Sequence, residues 1–381
     1  MKVTGIIAEY NPFHKGHEYQ LKFAKSISDA VIVIMSGSFV QRGDVAIFDK
    51  YIRTKIALEH GADLVLELPV VFSLNTAERF AFGGISILNQ LNIVDFLLFG
   101  SESGNIKELQ NATQILENET DEVSNRIKNL LNNGMSYARA RESAYSGMID
   151  SSLFSEPNNI LALEYLRQLY RTKSPITPIT QKRIGCGYHE ENLNSDFPSA
   201  TAIRNSILND GFLYPLFKKS VVHRLKNLDT VVLYNIRKNK KNAFSDIFDV
   251  SEGIENRIIN ASNSAKNIDE LVSLVSTKRY TNSRIRRILL SSLLDLNASL
   301  SLQEPDYIRV LGATNIGFSL LKEIKKNSSI DIITKTADYK KANLMFEKDI
   351  LASDIYDLSS DILQGGGCDF KTSPITGGKY E

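Results

Sequence analysis

The chain has 381 residues, more than one ordinary compact core holds, so two or three domains are the starting expectation. It is 43% hydrophobic and 23% charged, as folded water-soluble proteins are. Lys plus Arg number 45 against 44 Asp plus Glu, a net charge of +1 that excludes both a histone-like tail protein and a strongly acidic disordered chain.

Along the first hundred residues short apolar runs alternate with amphipathic stretches. The runs Val3–Ala8, Ala30–Met35, Asp63–Leu68 and Val94–Phe99 have the length and Val/Ile/Leu/Phe content of strands buried on both faces. Between them Glu18–Ser28, Lys50–His60 and Thr76–Leu91 read as helices. Three strand–helix–strand units predict an α/β fold: a doubly wound, Rossmann-like parallel sheet with right-handed crossovers. Ligands of such sheets bind beyond the carboxyl ends of the strands, at the point where strand order reverses. The loops that matter are then those after Ala8, Met35, Leu68 and Phe99.

Past about residue 105 the texture turns helical, with Ile106–Glu117, Val123–Leu131, Ser136–Gly147 and Asn159–Tyr170 as the predicted helices. Pro175 and Pro178 bracket a break, Ile179–Gly185 could add a strand, and helical periodicity dominates from Thr201 to about Lys326. The tail from Gln364-Gly365-Gly366-Gly367 onward reads as irregular. The expected division is an α/β domain over 1–205, holding the candidate ligand loops, and a mainly helical domain over 206–381. Charge is uneven along this order: residues 1–180 carry a net −3, residues 181–290 a net +7, and residues 291–381 a net −3. The middle segment gathers Lys218, Lys219, Arg224, Lys226, Arg237, Lys238, Lys240 and Lys241, then Lys278, Arg279, Arg284, Arg286 and Arg287. These are either solvated helix faces or a patch for a polyanion.

Cys186 and Cys368 stand far apart without Cys or His at metal-ligand spacing, so neither a disulfide framework nor a zinc site is expected, and a reducing cytoplasm is the default. No run of about 18 apolar residues occurs, so no membrane span is expected.

The chemistry concentrates in the strand-end loops. Glu9-Tyr10-Asn11-Pro12-Phe13-His14-Lys15-Gly16-His17 leaves the first strand and enters the first helix. Two of the chain's five histidines fall in one four-residue window, beside a helix start whose free N–H groups favour anions. Two cation-capable imidazoles there suit a triphosphate and the charge that develops when its α-phosphorus is attacked. The second loop, Ser36 through Asp44, offers Gln41 and Arg42; Lys50 and Arg53 open the next helix and are either further phosphate contacts or a solvated face. Gly100 ends the fourth strand, where a base or ribose can lie against the backbone. At Ser199-Ala200-Thr201-Ala202-Ile203-Arg204 a capped helix start forms a second anion cradle.

His-x-Gly-His at this position is the signature of a nucleotidyl-transfer superfamily. The longer stretches Glu9–His17, Ser36–Gly43, Gly61-Ala62-Asp63-Leu64-Val65-Leu66-Glu67-Leu68-Pro69, Phe99–Glu102, Pro157–Leu161 and Ser199–Arg204 resemble the tRNA(Met) cytidine acetate ligases nearly end to end. The resemblance implies an ATP-dependent ligase that forms acetyl-adenylate and passes the acetyl group to N4 of the wobble cytidine of elongator tRNA(Met). It also implies His14, His17 and Arg204 as catalytic groups. ATP contacts would fall on Ile7, Ala8, Glu9, Tyr10, Asn11, Pro12, Phe13, His14, Lys15, Gly16, His17, Glu18, Tyr19, Gln20, Gly100, Asn159 (or the adjacent Asn158), Arg183, Ile184, Ser199 and Thr201. ATP and acetate are the small substrates, and Mg2+ is left open as a helper. Under this reading the basic middle, with Tyr214, Phe217 and Tyr234 among its cations, would hold the anticodon loop. Two other readings stand beside it. One is a small-molecule adenylyltransferase or carboxylate–amine ligase of the pantothenate synthetase type; the other is a non-catalytic nucleotide-sensing RNA-binding protein.

Overall fold

The computed structural model describes residues 1–183, 198–210, 217 and 220–377. Ten strands are placed: β1 (Val3–Ala8), β2 (Ala30–Ser36), β3 (Phe39–Val40), β4 (Asp44–Val45), β5 (Leu64–Leu68), β6 (Phe96–Ser101), β7 (Thr177–Lys182), β8 (Tyr307–Thr314), β9 (Asp331–Ile333) and β10 (Ile375–Gly377). Eight of them form one sheet in the order β10-β8-β5-β2-β1-β6-β7, with β9 also on β8; β3 and β4 make a separate antiparallel hairpin. Every pair in the large sheet is parallel except β5–β8.

Alternation along the strands explains why both faces are covered. Val3 and Ile7 of β1, Ala30, Ile32 and Ile34 of β2, and Leu64, Leu66 and Leu68 of β5 enter one buried cluster. Ile6, Val31, Val33, Met35 and Val65 enter the other. Helix Ala77–Leu91 packs Phe80, Ile85 and Leu88 on the first face; helix Lys15–Ile27 packs Leu21 and Ala24 on the second. A strand with period-two side chains must be apolar throughout when helices cover both faces, and β2 is buried from end to end.

The register carries the functional consequence. Val3 pairs with Ala30 and Ala8 with Met35, so β1 and β2 end level with one another. β1 lies between β2 and β6, with the crossovers running to opposite sides. The loops after Ala8, Ser36 and Ser101 therefore open on one edge, at the reversal of strand order.

The later part of the chain departs from its helical reading in one respect. The described residues from 206 onward are mainly helical, yet they also give β8, β9 and β10 to the same sheet. The run Tyr307–Thr314 is buried almost throughout and extends the sheet beyond β5; even the tail returns a short strand beside β8. A change of texture near residue 205 thus does not separate the sheet. Helices Asp229–Asn239, Ile254–Ser262, Ile268–Val275 and Asn282–Leu293 pack together through Val232, Ile236, Ile258, Leu271 and Ile288, in a buried cluster continuous with one face of the sheet. Among the described residues no helix is long and apolar enough to cross a membrane.

Candidate active site

A cleft of about 400 Å³ opens at the carboxyl edge of β1, between the β2 side and the β6–β7 side. Ile7 through Asn11, His14, Gly16, His17, Tyr19 and Gln20 line it, as do Gln41, Arg42, Gly100, Asn158, Arg183, Ser199, Thr201 and Arg204.

The first helix builds its own start. His14 is the N-cap of Lys15–Ile27: its Nδ1 accepts the Gly16 N–H at 3.0 Å, and His17 Nδ1 accepts the His14 N–H at 3.3 Å. This is a capping box made of two imidazoles instead of a hydroxyl and a carboxylate. The rings stack with centroids 3.8 Å apart. Only glycine at position 16 allows this, because a Cβ there would lie 2.8 Å from His14 Cε1. With both Nδ1 atoms accepting, each neutral ring carries its proton on Nε2 and offers that N–H as a donor.

Electrostatics correct one expectation. Burial, with Arg183 and Arg204 nearby, pushes His14 down to about 3. Burial, His14 and Arg183 hold His17 well below the usual histidine range. The pair is therefore neutral in the unliganded protein at pH 7, and guanidinium groups supply the positive charge. Arg204 bridges the two anion-facing helix starts, donating to Asn11 O at 2.6 Å and to Thr201 Oγ1 at 3.1 Å. Ser199 Oγ caps its helix by accepting the Ala202 N–H at 3.1 Å. Arg183 donates to Asn158 Oδ1 at 2.9 Å, and an added Cβ on Gly100 would meet the Arg183 Cγ at 3.5 Å. Gly100 thus keeps that side of the cleft open rather than relieving a clash.

Several expected residues lie elsewhere. Pro12, Phe13, Lys15 and Glu18 do not line the cleft; Phe13 packs behind it on His17 and His60, and Glu18 pairs with Lys22 at 2.6 Å. Asn159 is buried behind the β6 loop, where its Oδ1 accepts the Glu102 and Ser103 N–H groups at 3.0 Å, whereas Asn158 lines the cleft. Lys50 and Arg53 also do not line it. Lys50 Nζ lies 2.8 Å from Glu67 Oε1, 2.9 Å from Ser353 Oγ and 3.1 Å from Asp369 Oδ1. Arg53 spends its donors on the carbonyls of Phe48, Glu9, Ser36 and Gly37. Both are fully enclosed, so neither phosphate contact nor solvated face describes them. Ile184, Cys186, Tyr214, Lys218 and Lys219 lie outside the described residues.

The apolar wall had no signal in the loops. Val40, Ala77, Phe80, Phe99, Leu161 and Tyr165 line the cleft, and most come from helices whose apolar residues read simply as core. Asp44 also lines it, from the β3–β4 hairpin. At the hairpin tip Gly43 has φ of +73°, and a Cβ there would lie 2.6 Å from Arg286 Cβ, so the tip seats directly on helix Asn282–Leu293. That contact brings the second basic cluster to the rim.

Most of the basic middle is nevertheless paired. Arg279 bonds Glu252, Arg286 bonds Asp269, and Arg284 and Arg287 bond Asp249. Arg224 bonds Asp361, and Arg237 donates to the Ser262 and Ala265 carbonyls. Phe217 is fully buried against Phe48. Tyr234 is 60% exposed with Lys238 Nζ 5.3 Å from its ring centre, and Lys226, Lys240 and Lys241 are exposed nearby in sequence.

Known proteins resemble this chain along nearly its whole length. A family model described as HIGH Nucleotidyl Transferase matches residues 1–365. A Thermoanaerobacter protein named tRNA(Met) cytidine acetate ligase is 42% identical, over 97% of this chain and 98% of its own. A protein of the same name from Clostridium perfringens is 40% identical, over 98% and 99%. The crystal structure of Thermotoga maritima TmcAL bound with alpha-thio ATP superposes with a TM-score of 0.87 at 32% identity, covering 99% of both chains. The apo form of that protein gives 0.90 at the same identity and coverage.

Proposed function

The chain belongs to the HIGH nucleotidyl transferases and, among them, to the tRNA(Met) cytidine acetate ligases, and from that premise we propose how its cleft performs the reaction. The protein is an ATP-dependent ligase: ATP activates acetate as acetyl-adenylate with release of pyrophosphate, and the acetyl group passes to N4 of the wobble cytidine of elongator tRNA(Met). The cytoplasm is the compartment this reading implies.

The observation that carries the assignment of roles is the stacked pair His14 and His17 facing the capped helix start Ser199–Arg204 across one cleft. The acetate oxygen attacks the α-phosphorus in line, and charge builds on the phosphoryl oxygens. Two Nε2–H donors fixed by backbone hydrogen bonds need no reorganisation to meet that charge. An arriving polyanion also favours the protonated imidazole, reversing part of the depression set by burial. Arg204 and the first-turn N–H groups of Ala200–Asp210 hold the departing pyrophosphate. Adenosine lies on the β6–β7 side, beside Gly100, Asn158 and Arg183. Exposed Tyr234 and Lys238, with Lys226, Lys240 and Lys241, form the surface for the anticodon loop, since single-stranded RNA is held by aromatic faces and cations together.

ATP–pyrophosphate exchange tests this directly. Exchange should require acetate and collapse in His14→Ala and His17→Ala; exchange that proceeds without acetate overturns it. Filter binding of tRNA, steeply weakened by salt, separates the ligase from a small-molecule enzyme of the pantothenate synthetase type, which has no use for RNA.

A further inference from the structure

The cleft has a second side that phosphate chemistry does not explain. Toward β2 and the β3–β4 hairpin it presents a carboxylate, that of Glu9, at the tip of β1. Glu9 Oε1 accepts the Gln41 N–H at 2.8 Å, which fixes the carboxylate against the hairpin. The groups around it are Arg42 on the hairpin, Arg53 on helix Lys50–Glu59, Arg204 on helix Ala200–Asp210 and Tyr165 on helix Pro157–Arg171. The apolar lining of the cleft reaches it through Val40, next to Gln41, and through Tyr165, and continues over Phe80, Phe99 and Leu161.

Charge sign decides what belongs here. Triphosphate and acetate are anions that Arg42, Arg183 and Arg204 serve, and the Glu9 carboxylate, although Arg42 and Arg204 are also near it, repels an anion placed against it. The remaining substrate group is the exocyclic amine of cytosine, a hydrogen-bond donor that a Glu or Asp carboxylate accepts well. A flat base out of its stack also needs an apolar or aromatic surface to lie on, and the wall beside Glu9 supplies one. We propose that Glu9 and this wall form the acceptor-base subsite, with Glu9 as the catalytic base of acetyl transfer. The inference rests on the acetate-ligase reading above and adds the group that completes its second step. Cytosine N4 attacks the acetyl carbonyl carbon and the new C–N bond forms. The bond between that carbon and the phosphate oxygen breaks, AMP leaves with the electron pair, and one N4 proton passes to the Glu9 carboxylate. Burial raises the pKa of Glu9 above the ordinary carboxyl range, against the pull of the Gln41 N–H and the three arginines. A carboxylate so placed is a better proton acceptor than one in water.

The test separates the two half-reactions in the full-length enzyme. Glu9→Gln keeps an acceptor for the Gln41 N–H and removes the base, so the ratio of tRNA acetylation to acetate-dependent exchange should fall about 100-fold or more. Glu9→Asp should restore part of that ratio. Single-turnover acetylation by the wild type should decline as pH falls through the Glu9 ionisation, and Glu9→Gln should lose this acidic limb. Parallel loss of both half-reactions in Glu9→Gln, or an unchanged ratio, overturns the proposal. A wild-type profile flat on the acid side does the same even if the variants fail to fold. Wild-type enzyme without acetate-dependent exchange would instead remove the ligase reading on which the inference stands.

Discussion

Two clusters of charge, one lining the cleft and one enclosed in the core, sit in opposite surroundings. Arg42, Arg183 and Arg204 line the cleft. On the other side Lys50 and Arg309 are enclosed with Glu67 and Asp369: Arg309 Nη1 lies 3.2 Å from Glu67 and 2.5 Å from Asp369, and its Nη2 donates to Tyr51 Oη at 2.9 Å. This second cluster ties β5 to β8 and to the helices Leu344–Asp357 and Cys368–Lys371. A cation enclosed with buried carboxylates holds the fold; one that lines a cleft keeps its protein partners there and still faces the open space. Residue type does not distinguish them, and the location of the partners does.

The sharpest way to break this contrast is Glu67→Ala. Leaving Lys50 and Arg309 short of a buried carboxylate should cost about 3–5 kcal/mol in urea unfolding; a loss under about 1 kcal/mol would mean the cluster is not a staple. His17→Ala should do the reverse, lowering acetate-dependent exchange about 10²–10³-fold, or about 3–4 kcal/mol of transition-state stabilisation. Its unfolding midpoint should move by no more than a lost cap, about 1 kcal/mol. Gly16→Ala sits between the two, since the new Cβ must push the His14 ring away. Exchange should drop about 10–100-fold with kcat affected more than the KM for ATP. Asn158→Ala should raise the KM for ATP roughly tenfold, while Asn159→Ala should show chiefly as lost stability, about 1–3 kcal/mol for the two loop N–H groups it strands.

The last contrast is a slope with pH, and it has opposite signs for His14 and Asp349. His14 is held down to about 3 in the fold, so below the ordinary histidine range the unfolded chain binds the extra proton and stability falls on acidification. Asp349, which bonds Tyr307 and the Val70 N–H, is pushed up to about 7 by burial and by Glu67. Between the ordinary carboxyl range and 7 the folded chain binds the extra proton, so stability falls as pH rises. Each group contributes at most about 1.4 kcal/mol per pH unit. His14→Gln should flatten the acid-side slope and Asp349→Asn the slope between pH 5 and 7, both read from unfolding midpoints.

Legibility followed the range of the interactions. The turn after β1 was readable because strand, turn and helix start are contiguous and the two histidines cap one another within four residues. The helix start at Ser199 was readable for the same reason. Lys50 and Arg53 were not, because helical spacing says which residues share a face and not whether that face meets water; their partners include Ser353 and Asp369, some three hundred residues away. Asn158 and Asn159 differ by a single helical step, and only the packing of the β6 loop decides which one turns inward. β8 was hidden because an eight-residue apolar run amid helical periodicity has no pattern that excludes helix. In the basic middle, composition counted cations, but five of its arginines pair with Asp249, Glu252, Asp269 and Asp361.

Hydrophobic order along the chain thus determined the alternating strands and helices, the edge at which their loops emerge, and the histidine pair at that edge, since each depends on neighbours a few residues apart. Folding in three dimensions decided which lysines and arginines are enclosed and which line the cleft, that burial holds both histidines below their ordinary range, and that the Glu9 carboxylate shares the cleft with an apolar wall. Those outcomes depend on desolvation and on partners distant in sequence, and no local pattern encodes either.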